Sequence, residues 1–90
     1  MADLDATIEE MKVALRRRLA DQASEQLIER LVRQLDTGAE STGALTGALI
    51  KVRTVLTLFV GEDLAVQVNR HLTQIAVARG HLSRVNETLF

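Results

Sequence analysis

The chain has 90 residues, a formal net charge of −1, and no cysteine, proline, tryptophan or tyrosine. That length holds one domain, and 47% hydrophobic against 26% charged residues is too apolar for disorder and too charged for a membrane protein. Without cysteine the chain has no disulfide framework, thiol nucleophile or thiolate metal site, a usage that fits a reducing compartment.

The opening residues, MADLDATIEEMK, begin with acids and lack an apolar run, which argues against a signal peptide. Asp3 or Asp5 can cap a first helix, and Thr7 followed by Glu10 has the capping-box spacing. Leu4, Ile8, Met11, Leu15 and Leu19 then recur at steps of three and four, the narrow stripe of a bundle seam. The spacing predicts a helix over about 4–20.

Extrapolated at ~3.6 residues per turn, that stripe misses Leu27, Ile28, Leu31, Val32 and Leu35 by nearly half a turn. A break near Ala20–Ser24 follows, and then a second helix over about 24–36 capped by Asp21 or Ser24. Glu29 and Arg33 form a favourable i,i+4 pair on its solvent side. The stretch DTGAEST, residues 36–42, is the clearest loop, with Gly38 expected as a left-handed helix stop.

Ser41 or Thr42 can cap a third helix over about 42–60. At ~100° per residue, Ala44, Leu45, Ala48, Leu49, Val52, Val55, Leu56, Phe59 and Val60 fall within an arc of ~160° free of polar residues. The opposite side carries Gly43, Gly47, Thr46, Thr54, Thr57, Lys51 and Arg53. This stretch approaches the length of a membrane span. Lys51 and Arg53 in its middle would each cost about 2.5–3.5 kcal/mol there, so a soluble helix and no membrane are expected.

Gly61 ends the third helix, and Glu62 and Asp63 place negative charge at the start of the fourth. Leu64, Val68, Leu72, Ile75, Ala78, Leu82, Val85 and Leu89 stay in step through Gly80. That phase predicts one long helix over about 62–88, with a stop at Gly80 and a short fifth helix as the alternative. The fold expected is all-α: a single helical domain, a small antiparallel four-helix bundle, with a last helix long enough for oligomerisation.

Chemistry-bearing patterns are sparse. Glu9 with Glu10, Glu25 with Glu29, and Glu62 with Asp63 each sit at a helix start or on a solvent face, where desolvated acid–base chemistry has no footing. His71 and His81 lie ten residues apart, ~80° apart on one helix, and cannot share a metal. His71 borders the apolar stripe, and His81 is expected to face solvent. No catalytic residue, metal or cofactor is expected.

Arg16, Arg17 and Arg18 form the one basic run, but consecutive helical residues diverge by ~100°. Arg16 and Arg17 point away from the stripe, while Arg18 is expected to run along the core edge. With Thr42, Thr46 and Arg53 they are the candidate nucleic-acid contacts of a helix-turn-helix-like alternative. The loop is long for that motif, and its outer face lacks Asn and Gln. Gly43 and Gly47 have the spacing that lets two helices pack closely, within or between chains.

Several large apolar residues fall off the core arcs: Val13, Ile50, Leu58, Val66 and Val77, with Phe90 at the end of the sequence. The expected function is therefore a cytoplasmic, non-enzymatic interaction or scaffold module. It would form a homo-oligomer, most simply a dimer, and present a helical surface to another protein. Ile50, Leu58, Val66, Val77, Val85, Leu89 and Phe90 are the expected interface, the last three as anchors. An accessory subunit of a larger enzyme and a core-bound apolar ligand are the remaining alternatives.

Overall fold

The computed structural model describes residues 4–81. It is an all-α, antiparallel four-helix bundle with no strand among the described residues. Helices α1 (Leu4–Leu19), α2 (Glu25–Asp36), α3 (Thr42–Val60) and α4 (Glu62–Ala78) follow one another, with a 3-10 turn at Thr37–Glu40 between α2 and α3. Each helix packs on its neighbours in chain order and α4 closes against α1, so α1 and α3 are diagonal.

Apolar spacing decides which faces meet. Helix α1 buries Ile8, Met11, Leu15 and Leu19, and α2 buries Ile28, Leu31, Val32 and Leu35. Helix α3 adds Leu45, Ala48, Leu49, Val52 and Leu56, and α4 adds Ala65, Val68, Leu72 and Ala76. Each fully buried Leu or Ile stabilises the bundle by about 1.5–3 kcal/mol relative to an exposed one. Helix α3 is also the one helix among the described residues long and apolar enough to cross a membrane by length and composition.

The helix starts follow the sequence closely. The Ser24 hydroxyl accepts from Leu27 N at 3.2 Å, and the Ser41 hydroxyl accepts from Ala44 N at 3.0 Å. Each thereby satisfies one of the unpaired amides of a first turn. Gly61 joins α3 to α4 at φ +99° and ψ 159°, a backbone state open essentially to glycine alone. Thr7 and Glu10 do not form a capping box: Thr7 lies buried inside α1, and Glu10 is bound by Arg79.

Helix α4 stops at Ala78, ten residues before the extended helix that phase alone predicts. Gly80 adopts φ +82°, its amide bonds to the Val77 carbonyl at 3.0 Å, and the His81 amide bonds to the Ala76 carbonyl at 3.0 Å. This pair of bonds is the Schellman closure, which needs a residue in the left-handed region after the helix and takes glycine there. Apolar phase continues past Gly80, but helix α4 does not, and the short fifth helix of the alternative lies outside the described residues. Asp3, Val85, Leu89 and Phe90 lie outside the described residues.

The segment after α2 also differs from expectation. Gly38 is not a left-handed stop; it sits in the 3-10 turn, buried. A Cβ built there would lie 3.0 Å from the Leu45 Cα and 3.2 Å from the Ala48 Cβ. The glycine serves close approach of the turn to α3 rather than a special dihedral angle.

Ion pairs tie α1 to α2. Lys12 reaches Glu9 at 3.0 Å and also Asp36 at the end of α2. Hydrogen bonds from its ammonium to Asp36 first and Glu9 second raise its pKa above the usual lysine value. Arg16 meets Glu29 at 2.5 Å, so Glu29 pairs across helices instead of with Arg33. The hydrogen bond from Arg16 holds the Glu29 carboxyl below its ordinary 4.5. A depressed carboxylate stabilises the fold fully above its unfolded-state pKa and loses that contribution as pH falls through the folded-state one. Urea unfolding followed between pH 7 and pH 3 will therefore show stability falling below about pH 4.5, with a shallower fall in Glu29→Gln. Equal slopes in the two proteins would refute the pairing.

Candidate interaction surfaces

The side of α3 turned away from the core is built from its own sequence spacing. Gly43, Gly47, Ile50, Thr54 and Leu58 share an arc of ~80°, centred ~180° from the buried leucines. Ile50 is 48% exposed and Leu58 76% exposed. No charged residue lies inside the stripe; Lys51 and Arg53 flank it, one on each side. The Thr54 hydroxyl donates to the Ile50 carbonyl at 3.0 Å, so it adds little polarity to the surface. A helix face of this kind, small and apolar with no acid, has its hydrogen bonds satisfied internally and offers packing rather than chemistry.

Gly43 and Gly47 produce no close helix contact within the chain. The nearest neighbour to a Cβ at Gly43 is the Ser41 hydroxyl at 3.8 Å, and nothing lies within 4 Å at Gly47. Phe59 departs from the core arc to which its phase assigns it: it is 61% exposed. Phe59 lines a surface cleft with Gln26, Leu27 and Arg30 of α2, while its neighbour Val60 packs against the core. Wheel angle predicts facing direction but not whether a partner element extends far enough to cover a residue.

The remaining expected interface residues divide. Val66 and Val77 are half-buried, and Val77 packs against the core. Val13, on α1, is 50% exposed, as its position off the stripe suggests.

The candidate nucleic-acid residues fall in two separate groups, Arg16 and Arg17 on α1 and Thr42, Thr46 and Arg53 on one side of α3. Arg16 is bound to Glu29 on the α1–α2 side. Arg53 and Thr46 are half-buried on α3, diagonal from α1. Thr46 donates to the Thr42 carbonyl at 3.1 Å and Thr57 to the Arg53 carbonyl at 2.8 Å, which ties both hydroxyls to their own helix. Reading a base edge needs free donors and acceptors projecting together from one face.

The histidines sit where α1 and α4 meet. Arg18 Nη2 lies 3.3 Å from His71 Nδ1. His81 is half-buried rather than solvent-facing, with Nε2 2.9 Å from the Thr7 hydroxyl. Among the described residues, no group of three or more histidines and carboxylates is placed to hold a metal ion. Asn69 is buried and donates to the Leu49 carbonyl of α3 at 2.8 Å, while its Oδ1 and the buried Thr73 hydroxyl have no hydrogen-bond partner among the described residues.

A trough the sequence reading missed runs between α1 and α4. Val13, Ala14 and Ile75 form its floor, with Arg17, Arg18 and His71 at one end and Glu10 at the other. It joins residues more than fifty positions apart in the chain, so local periodicity carries no trace of it. Compared with models of protein families, with curated proteins and with solved structures, the chain shows no match.

Proposed function

We propose that this chain is a non-enzymatic protein–protein interaction module that pairs with a second copy of itself through the outward face of α3. The observation that carries this reading is the exposure of Leu58 and Ile50 on an uncharged stripe opposite the core. Scattered apolar residues on a surface are ordinary, but aligned ones beside two glycines favour a packed helix. The stripe is also self-complementary in size. In an antiparallel two-fold pair, Gly43 of one copy meets Leu58 of the other, Gly47 meets Thr54, and the two Ile50 side chains lie next to the axis. Lys51 stays at the margin with its ammonium in water.

The same reading places the protein in the cytoplasm, which the absence of cysteine supports. The exposed positions of Glu9, Glu10, Glu25, Glu62 and Asp63 favour a binding role over catalysis. Sedimentation, detected by refractive index because tryptophan and tyrosine are absent, tests the proposal. The parent chain will sediment as a dimer at tens of micromolar. The double variant Ile50→Glu, Leu58→Glu will sediment as a monomer with an unchanged helical spectrum, and its unfolding midpoint will match the parent's when both are measured at low protein concentration. A parent chain that is monomeric at that concentration overturns the reading.

A further inference from the structure

We infer that the trough between α1 and α4 receives an acidic amphipathic helix from a partner protein. Among the described residues the trough is open to solvent, and Val13 (50% exposed), Ala14 and Ile75 give it an apolar floor. From Glu10 to Arg18 it follows α1 for ~12 Å, a little over two helical turns, the reach over which a docked helix places anchors at i, i+4 and i+7.

Charge selects the partner. Every ionisable group lining the trough is Glu10, Arg17, Arg18 or His71. Glu10, the one carboxylate, is already bound by Arg79. Arg17 has no carboxylate within ion-pair distance among the described residues, and Arg18 faces only His71 Nδ1. An apolar floor with two guanidiniums left uncompensated favours a partner with apolar anchors flanked by Glu or Asp. A lysine-rich helix of the same shape would face repulsion at the same positions, so selectivity is built in. The trough is partly open to solvent, so a small ligand would not be buried on all sides there. It also lies on the α1–α4 side of the bundle, diagonal from the outward face of α3, so it can be occupied whether or not the chain pairs with itself.

Two synthetic amphipathic peptides with identical leucine positions test this, one with Glu and one with Lys on the polar face. Each is titrated into the isotopically labelled full chain and followed by amide chemical shifts. The Glu peptide will perturb amides across 10–18 and 71–75, and its affinity will fall as salt is raised. The Lys peptide will bind at least about tenfold more weakly. The double variant Arg17→Glu, Arg18→Glu will lose the Glu peptide by about tenfold or more while retaining its helical spectrum and its sedimentation behaviour. Val13→Ser will weaken binding without altering the salt dependence. Equal binding of the two peptides, or perturbation that maps elsewhere, overturns the inference. So does tighter arginine-dependent binding of duplex DNA or of anionic phosphatidylglycerol vesicles than of the Glu peptide. Sedimentation of the same samples separates this result from the self-pairing on α3.

Discussion

Leu49→Ala will destabilise the bundle by about 3–5 kcal/mol, the upper range for truncating a fully buried leucine. Leu49 is completely buried at the middle of α3, in a cluster fed by all four helices. Truncation removes its transfer free energy and leaves a cavity that rigid neighbours on several helices cannot collapse to fill. A domain this small has a total stability at the low end of about 5–15 kcal/mol, so the variant will be partly unfolded at 37 °C. Leu58→Ala supplies the control. Leu58 is 76% exposed, and its truncation should change stability by no more than about 0.5 kcal/mol. Urea unfolding followed by far-ultraviolet circular dichroism, at a protein concentration low enough to keep the chain monomeric, measures both. Similar costs for the two substitutions would mean that the core is not where the packing places it.

The same pair of leucines shows how much the sequence discloses. Both lie on α3, nine residues apart, and their wheel angles alone separate core from surface. Helix starts are equally legible, because Ser24 and Ser41 cap through bonds to amides three residues on, a wholly local chemistry. What fails is whatever depends on a distant element. Phe59 has the core phase, but α2 leaves it 61% exposed. Helix α4 fails for a local reason instead: it has the phase to continue, but the Gly80 backbone enters the left-handed region and closes the helix. The trough between α1 and α4 depends on the antiparallel placement of two helices from opposite ends of the chain. Of the proposed surfaces, the α3 stripe is visible in periodicity, and the trough is visible only once the bundle closes.

Gly38→Ala will cost about 1–3 kcal/mol, whereas Gly47→Ala will be neutral or stabilising by up to about 1 kcal/mol. Propensity alone predicts a gain at both positions, since both lie in helical segments and neither has a positive φ. Surroundings decide the sign. At Gly38 the added methyl meets the Leu45 Cα at 3.0 Å, a backbone atom held inside a helix, and the Ala48 Cβ at 3.2 Å. Neither is the tip of a flexible side chain, so the 3-10 turn must lift away from α3, loosening the contacts of the buried Leu45 beneath it. At Gly47 the methyl meets nothing within 4 Å, and the unfolded chain loses backbone freedom. The two variants also separate folding from association. Gly47→Ala keeps the fold but thickens the stripe that faces a second copy, so its dimer should weaken while its unfolding midpoint, measured at low protein concentration, holds or rises. Gly38→Ala should lower the midpoint and leave self-association intact wherever the chain remains folded. A stabilised Gly38→Ala would mean that the turn does not lie against α3, and α2 would then lack the connection that sets its distance from the third helix.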